Sequence, residues 1–377
     1  MTHLRSALNR FRRCAAFALV AGVVACAGDA AGPFPESRHL GSDAATYWPD
    51  ATWRSARPLD VDVDESRVNG MLARITGGEF GAVHGLVVVR KGYVIVDTSF
   101  GGWDRDSIHT MQSVTKSVTS LAAGIAIDRG LIRLDETVAE LLSSYGPFAN
   151  DDSRKRAMTV RDVLTMRTGL DWSEDPYAGS PLERLNTSQT DWLRLVVDWP
   201  MRERPGTRWE YNSGGVIALG GGIGLAAGMN AADFVRQYLF RPIGITDDKW
   251  ARGFPDLLPH MGGGLFMTTR DLARVGYLVL RNGRWKDAQV VPADWIAAST
   301  RVAVTSPRTL DGRRFDYGYL WWLLPADGVI AASGALGQWL FVVPKYDLVV
   351  AINANIETGN VAGGSDMLIN HLLPAMQ

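Results

Sequence analysis

The chain has 377 residues, of which 46% are hydrophobic, so it is long enough to bury a large core in one domain or in two closely packed ones. Its formal net charge is −1 at pH 7, and this balance gives no indication of a nucleic-acid partner. Both cysteines, Cys14 and Cys26, lie near the N-terminus, so the remainder of the chain has no disulfide, no thiolate nucleophile and no cysteine-based metal site.

A targeting signal opens the chain. Arginines precede a small, apolar stretch over residues 14–25, which is the pattern of a secretory signal peptide, predicted here over residues 1–25. The stretch ends in Val23-Val24-Ala25-Cys26, which resembles the lipobox of bacterial lipoproteins. That resemblance implies a lipid on Cys26 and a membrane-anchored protein in the periplasm or outer membrane of a bacterium. An ordinary signal peptide, cleaved elsewhere, is the alternative.

Two regions follow the signal. Residues 26–58 begin with a run rich in Ala, Gly, Ser and Asp, which predicts a flexible tether. Residues 59–377 are predicted to form one domain, in which helical periodicity dominates a region over about 117–300. The tether would connect the lipid anchor to this domain.

The elements of the domain predict its fold class. Two β-branched runs, 84–90 and 93–100, predict a hairpin that turns at Lys91-Gly92. The other predicted elements are helices at 66–76, 136–143, 159–167, 188–198, 213–228, 231–240, 269–281, 293–300 and 363–373, and strands at 317–324, 329–333, 338–343 and 347–353. This order predicts an α+β fold, an α/β sandwich, with one antiparallel sheet built from both ends of the chain, flanking helices and an inserted helical region.

The sequence Ser113-Val114-Thr115-Lys116 provides the first candidate for chemistry. Apolar residues continue from Val118 with helical spacing until Gly130, so Ser113 and Lys116 are predicted to share one face in the first turn of a largely buried helix. A lysine in this position can accept the proton of a neighbouring hydroxyl, and the helix N-terminus directs free N–H groups towards an oxyanion. For this motif alone, a solvated Ser and Lys on an ordinary helix is the alternative.

Two further segments are candidates. Tyr211-Asn212-Ser213 lies just before a predicted helix, and a phenol close to Lys116 could accept the proton of Ser113 and later activate water. A core tyrosine followed by capping residues explains the same segment. In Ala332-Ser333-Gly334-Ala335, glycine allows a ligand to approach closely, and a strand edge can offer an N–H to an oxyanion. A Gly-rich turn between strands is the alternative.

Taken in this order, Ser-x-x-Lys, Tyr-x-Ser and small-Ser-Gly resemble the motifs of the serine β-lactamase and penicillin-binding-protein superfamily. More narrowly, residues 60–375 resemble the class C β-lactamase-like serine hydrolases, which include esterases and 6-aminohexanoate-oligomer hydrolases. The stretches 170–175, 262–274 and 337–344 carry this closer resemblance. It implies a β-lactamase/transpeptidase-like fold and neither a metal nor an organic cofactor.

The resemblance also implies a role for each matched residue. Ser113 would be the acyl-enzyme nucleophile and Lys116 its base, while Tyr211 would relay the proton to the leaving group and then activate water. The backbone N–H groups of Ser113 and Ala335 would form the oxyanion hole. Ser213 stands where many relatives have Asn and would hydrogen-bond Lys116.

Four more residues are assigned to the substrate side of the site or to the shell behind it: Trp172, His260, Ser333 and Gly334. Trp172 stands where the nylon-oligomer amidases have a tyrosine, and an indole cannot replace a phenol as a proton source, which favours esters over amides. Ala332 stands where β-lactamases and penicillin-binding enzymes have Lys or His, which disfavours β-lactamase activity. His260 precedes the glycine run that lines the site in relatives, with an ordinary structural histidine as the alternative.

The sequence therefore predicts a secreted, lipid-anchored serine hydrolase that acts on a small-molecule ester, or an amide, through an acyl-enzyme. A D-Ala-D-Ala-type peptidase or β-lactamase is one alternative. A non-catalytic lipoprotein that binds peptidoglycan or peptides is another. The presence of Ser113, Lys116 and Tyr211 together argues against the binding lipoprotein, because a pure binder has no need of all three.

Overall fold

The computed structural model describes residues 47–50, 52–188, 191–253, 258–305, 308–310, 312–356 and 363–377. The predicted signal peptide, Cys26 and the tether up to residue 46 lie outside the described residues. The described α-helices are α1 (Glu65–Thr76), α2 (Val114–Asp128), α3 (Val138–Leu141), α4 (Ser153–Ala157), α5 (Val160–Leu164), α6 (Pro181–Thr187), α7 (Trp192–Val197), α8 (Ser213–Ala227), α9 (Ala231–Val235), α10 (Thr269–Leu280), α11 (Ala293–Ser299) and α12 (Gly363–Asp366).

The strands divide into one large sheet and three small ones. They are β1 (Val83–Arg90), β2 (Tyr93–Ser99), β3 (His109–Thr110), β4 (Lys249–Trp250), β5 (Leu265–Met267), β6 (Arg284–Trp285), β7 (Ala288–Gln289), β8 (Thr309–Leu310), β9 (Arg313–Arg314), β10 (Asp316–Tyr317), β11 (Trp322–Leu324), β12 (Val329–Gly334), β13 (Gln338–Val343) and β14 (Leu348–Ala354). The large sheet has the order β10-β11-β12-β13-β14-β1-β2, and all of its neighbouring strands are antiparallel. The predicted sheet from both ends of the chain is therefore confirmed, with the last strand, β14, paired to the first.

Helices cover both faces of this sheet. On β13, Trp339 and Leu340 are consecutive and therefore point to opposite faces. Trp339 fills the space beside Gly364 of α12, and Leu340 lies against Gly276 of α10. The side chains between these layers form the largest part of the hydrophobic core.

The candidate site lies where the ends of four strands of the large sheet come together. β12 ends at Gly334, which pairs with Gln338 at the start of β13. At the same end of the sheet, Val83 at the start of β1 pairs with Ala354 at the end of β14. We call this end of the sheet the upper end, and α2 begins beside it.

The helix α2 has the predicted position and burial. Its residues from Val114 to Ala126 are buried, and Gly130 follows its end with a φ of 69°, where glycine avoids the strain of a left-handed backbone. Lys116 lies in the first turn of this helix, and the packing of α2 buries its side chain in the core.

The structure differs from the sequence predictions at two places in the strands and at the last predicted helix. The predicted strand 317–324 is instead a hairpin of β10 and β11, because the chain turns at Leu320, whose φ is 63°. The three-stranded sheet of β3, β5 and β4 was not predicted, since its members have only two or three residues each. The predicted helix 363–373 begins with α12 but continues as a π-helical segment, Met367–Leu372.

The end of the predicted tether is part of the domain. Residues 47–50 and Trp53 contact α10, and Ala56 donates to the Val94 carbonyl of β2 at 3.1 Å, so the prediction of a flexible tether over 26–58 does not hold for these residues. The Tyr277 hydroxyl donates to the Tyr47 carbonyl at 2.9 Å, and the Trp53 ring meets the Tyr277 ring edge-on at 5.5 Å.

Among the described residues, no single helix is both long and apolar enough to cross a membrane. The helix α8 and the segment Ala231–Ile243 meet these criteria only as a pair, and the pair is bent by 77°. Most residues of α8 are buried within the domain.

Candidate active site

Ser113 and Lys116 meet at the start of α2. The Lys116 Nζ atom lies 3.0 Å from the Ser113 Oγ atom, which is hydrogen-bond distance. Lys116 is only 1% exposed, whereas Ser113 is half-buried and its hydroxyl lies at the edge of the core. The predicted pair is therefore present, with its amine shielded from water and its hydroxyl accessible.

The amine has a second partner in the loop that precedes β5. Lys116 Nζ donates to the Gly262 carbonyl at 2.6 Å. Two more side chains of α2 bind the same loop: the Thr119 hydroxyl donates to the Met261 carbonyl at 2.7 Å, and Thr115 Oγ1 accepts from the Leu265 N–H at 3.2 Å. These bonds hold the carbonyl of Gly262 in place beside the amine.

Tyr211 lies on the other side of the amine. Lys116 Nζ is 4.7 Å from the centroid of the Tyr211 ring. The ring stacks on Trp322 of β11, with 6.0 Å between centroids and 17° between planes, and the Arg308 guanidinium lies 5.3 Å from its centroid. Tyr211 follows Ser113 and Lys116 by almost a hundred residues in the sequence. The fold thus brings all three side chains together, as predicted.

Ser213 does not have the predicted partner. Its hydroxyl donates to Glu174 Oε2 at 3.0 Å rather than binding Lys116, and its backbone N–H donates to Glu174 Oε1. The second partner of Lys116 is the Gly262 carbonyl instead. Sequence reasoning did not find Glu174, because its position in a loop carries no periodic signal.

Trp172 lies in the core and not on the substrate side. It is 0% exposed, and its ring fills the space in which a side chain at Gly214 would otherwise lie. Its indole N–H donates to Glu174 Oε1 at 2.8 Å. Of the two places predicted for Trp172, the substrate side and the shell behind it, the structure places the ring in the shell, because a fully buried ring cannot touch a substrate.

The end of β12 approaches the nucleophile closely. A Cβ atom at Gly334 would lie 2.5 Å from the Met111 carbonyl oxygen and 3.0 Å from the Gln112 Cβ atom, so only glycine fits. Ser333 is half-buried and Ala335 is exposed. The predicted segment 333–335 thus lies beside the turn that carries Ser113.

That turn has an unusual backbone. Gln112, immediately before Ser113, has a φ of 46°, which a residue with a side chain adopts at a cost. Its carbonyl accepts from the N–H of Thr115 at 3.0 Å and from the Thr115 hydroxyl at 2.6 Å. The strained residue is held by the first turn of α2, which fixes the position of the next residue, Ser113.

His260 lies behind the amine. It is 6% exposed, and its ring meets the Trp192 ring edge-on at 5.2 Å. Burial first, and the positive charge of Lys116 second, lower the pKa of His260 to about 4. His260 therefore belongs to the shell behind the site and not to its substrate surface.

A cleft of about 240 Å³ opens beside the phenol. It is lined by Glu174, Asp175, Trp209, Glu210, Tyr211 and Arg308. The Glu210 carboxylate is paired with Arg208 at 2.8 Å and with Arg202 at 3.6 Å. Within the described ranges, no group of three or more His, Cys, Asp or Glu side chains is arranged to hold a metal ion.

A sheet flanked by helices, with a serine, a buried lysine and a tyrosine meeting at its upper end, defines a serine hydrolase. The sequence model of the Beta-lactamase family matches residues 73–371, and the chain belongs to that family.

Similar proteins support this assignment. The chain is 26% identical over 286 residues to the 6-aminohexanoate-dimer hydrolase of Paenarthrobacter ureafaciens, with 70% of each chain covered. It is 28% identical over 228 residues to the esterase EstB of Burkholderia gladioli, with 57% of this chain and 56% of the esterase covered. The solved structure of an octameric penicillin-binding protein homologue from Pyrococcus abyssi superposes with a TM-score of 0.64, at 18% identity, and covers 82% of this chain and 79% of its own. The predicted superfamily and the β-lactamase/transpeptidase-like fold are therefore confirmed.

Proposed function

We propose that this protein hydrolyses esters of small molecules through an acyl-enzyme on Ser113. The observation that carries the proposal is the 3.0 Å contact between Lys116 Nζ and Ser113 Oγ, made by a buried amine to a half-buried serine. A nucleophile and a base within hydrogen-bond distance form the general signature of covalent catalysis by a hydroxyl.

In the first half-reaction, Ser113 Oγ attacks the carbonyl carbon while its proton moves to the amine of Lys116. The Gly262 carbonyl accepts a hydrogen bond from the same amine and holds it beside the hydroxyl. The oxyanion is held by the backbone N–H groups of Ser113 and Ala335. The bond to the leaving alcohol then breaks, and the alcohol receives a proton by way of Tyr211.

In the second half-reaction, water attacks the acyl carbon and gives its proton to Tyr211, which passes its own proton to Lys116. The bond between the acyl group and Ser113 Oγ breaks, and the serine regains a proton from Lys116. The centroid of the Tyr211 ring lies 4.7 Å from Lys116 Nζ. This distance supports a proton relay between the two side chains.

One position supports esters over amides as substrates. The position matched to the substrate-side tyrosine of the amidases is filled by Trp172, which is buried and whose indole N–H is already bound to Glu174. An amide nitrogen needs a proton before it leaves, whereas an alkoxide is a better leaving group and needs less help. An esterase relative, EstB, agrees with this preference.

A D-Ala-D-Ala-type peptidase or β-lactamase is the second candidate. These enzymes bind a substrate carboxylate with a cation, and the position that supplies it in the resemblance is Ala332, which is buried and apolar. The observation that favours this candidate is Arg308, whose guanidinium lies 5.3 Å from the centroid of the Tyr211 ring and lines the cleft. Turnover of nitrocefin as fast as that of simple esters would favour it.

The proposed function is tested by labelling with a fluorophosphonate probe, read as intact mass. We expect the wild type to gain one probe, Ser113→Ala to gain none, and Lys116→Met to react at least a hundredfold more slowly, because an alcohol without its base is a weak nucleophile. The measured quantity is the rate of mass gain.

The same helix offers a matched control for the serine. Ser120 is also buried in α2, and its hydroxyl has no hydrogen-bond partner in the described structure, so Ser120→Ala should label like the wild type. Lys155→Met controls for the loss of a buried amine, since Lys155 Nζ donates only to backbone carbonyls at 2.7 Å. A folded wild type that takes no label would contradict the proposed function.

A further inference from the structure

Glu174 receives three hydrogen bonds. Its Oε1 atom accepts from the indole N–H of Trp172 at 2.8 Å and from the backbone N–H of Ser213, and its Oε2 atom accepts from the Ser213 hydroxyl at 3.0 Å. An ionised carboxylate has about four acceptor positions, so this one is nearly saturated.

One end of this arrangement is fixed in the core. Trp172 is fully buried, and its ring meets the Trp199 ring edge-on at 5.4 Å. It also fills the space beside Gly214, where an added Cβ atom would lie only 2.6 Å from the ring. The indole N–H therefore has a fixed position, and it fixes the carboxylate that accepts from it.

The other end is the turn that carries the phenol. Ser213 follows Tyr211 by two residues and begins α8. On the other side of Tyr211, the N–H of Glu210 donates to the Met166 carbonyl at 2.9 Å. The backbone of Tyr211 is therefore held from both sides. After it, Asn212 donates to Met166 Sδ at 3.2 Å and to the Thr168 hydroxyl at 3.0 Å, and Ser213 bonds to Glu174.

We propose that Glu174 is a positioning residue for Tyr211. It binds the turn 211–213 to the fixed indole of Trp172 and so sets the distance between the phenol and Lys116. This inference rests on the proposed function, because it needs the phenol to move a proton. It also explains why residue 213 is a serine. The Ser213 hydroxyl donates to Glu174, whereas Lys116 donates to the Gly262 carbonyl.

A positioning role and a chemical role of the carboxylate differ in their response to Glu174→Gln. The amide oxygen of glutamine can accept from Trp172 and from the Ser213 N–H, and its NH₂ can donate to the Ser213 hydroxyl, which turns to accept. The three bonds then survive without the charge. Glu174→Ala removes all three.

The experiment measures steady-state ester hydrolysis and the rate of fluorophosphonate labelling in the same preparations. For Glu174→Ala we expect kcat to fall tenfold to a hundredfold, since a small misplacement of a catalytic group has an effect of this size. For Glu174→Gln we expect kcat within threefold of the wild type. Labelling of Ser113 should stay within threefold of the wild type in both, because the attack depends on Lys116, so the loss in Glu174→Ala should appear as accumulated acyl-enzyme.

The control is Glu183→Ala. Glu183 accepts from the Gly179 N–H in the same loop but has no bond to Ser213, so its removal should leave kcat unchanged. If Glu174→Ala does not fold, Ser213→Ala replaces it: this variant removes one of the three bonds and should lower kcat threefold to tenfold.

Three outcomes would overturn the inference. A wild-type kcat in folded Glu174→Ala, or in Ser213→Ala where that variant replaces it, would show that the bonds do not position Tyr211. A loss in Glu174→Gln as large as in Glu174→Ala would show that the charge, and not the bonding, is required. A wild type that neither labels nor hydrolyses esters would overturn the proposed function and this inference with it, whereas the first two outcomes leave the proposed function intact.

Discussion

The buried amine of Lys116 is surrounded by uncharged groups. Its hydrogen-bond partners are the Ser113 hydroxyl and the Gly262 carbonyl, and the His260 ring behind it is neutral at pH 7, because its pKa is about 4. Among the described residues, no carboxylate forms an ion pair with this lysine. The contacts described for this amine are therefore hydrogen bonds to uncharged groups and not an ion pair.

The neutral imidazole makes the fold sensitive to acid. An unfolded histidine binds a proton below about pH 6.5, but His260 in the native protein does so only near its lowered pKa of about 4. At a pH between 4 and 6.5, unfolding therefore takes up a proton on this histidine. The stability that the neutral ring contributes above pH 6.5 is lost as the pH falls towards 4. His109, whose pKa burial also lowers to about 4, acts in the same direction.

We expect His260→Asn to reduce this sensitivity. The free energy of unfolding, from urea titrations, should fall less between pH 7.5 and 4.5 in the variant than in the wild type, by about 2 to 3 kcal/mol. The comparison uses the change between the two pH values, so a uniform cost of the substitution cancels. His109→Asn should give a change of similar size. An equal fall in His260→Asn and in the wild type would be inconsistent with a neutral buried imidazole.

At the scale of elements, the site depends on how closely β12 approaches the start of α2. Gly334 has an extended backbone that any residue could adopt, so space and not conformation requires glycine there. An added methyl group would lie 2.5 Å from the Met111 carbonyl oxygen, and the strand would have to move away from the turn at Ser113. Ala335, the second proposed oxyanion donor, would move with it.

Gly334→Ala should therefore lower the rate of ester hydrolysis by about tenfold or more. Gly70→Ala in α1 is the control, because nothing lies within 4 Å of its added methyl group and alanine favours a helix. The initial rate with a chromogenic ester is measured for both variants at equal concentration of folded protein. A wild-type rate in Gly334→Ala would show that the end of β12 does not take part in the reaction.

The sequence predicted those parts of the site that depend on local spacing. Ser113 and Lys116 are one helical turn apart, and the helix itself is marked by regular apolar positions, so both could be placed together before the structure was known. Tyr211 was placed by its motif and not by its spacing. The large sheet was predicted from alternation and β-branched runs, which β1, β13 and β14 show clearly.

Contacts between loops could not be predicted in this way. Glu174 and the Gly262 carbonyl reach the site from irregular segments. Both segments carry the family resemblance, but neither has a periodic spacing that would show which of its groups contact the site. The turn at Leu320 was missed for a related reason: the apolar residues around it favour one continuous strand, and the left-handed backbone there follows from packing.

At the scale of the whole molecule, the proposed lipid anchor decides where the enzyme works. We propose that the chain is exported and that Cys26 carries the lipid, on the basis of the lipobox-like Val23-Val24-Ala25-Cys26. An anchor of this kind would keep the hydrolase at a bacterial membrane.

Bacterial cells grown with radioactive palmitate should incorporate label into the wild-type protein. Cys26→Ser should abolish this incorporation, because the thiol is the acceptor of the lipid. Cys14→Ser, in the apolar stretch of the signal, is the matched control and should remain labelled. Label in Cys26→Ser, or its absence from the wild type, would contradict the anchor and leave the proposed chemistry untouched.

The pairing of the first strand with the last has a consequence for biosynthesis. The ladder of β1 and β14 lies inside the large sheet and joins its first strand to its last. A ribosome must therefore synthesise all the residues between β1 and β14 before this ladder can form. Until then, β1 has only its hairpin partner β2, and contacts this distant in sequence form slowly. During most of its synthesis the nascent chain lacks its completed core, which is the state that a translocation channel for unfolded chains accepts.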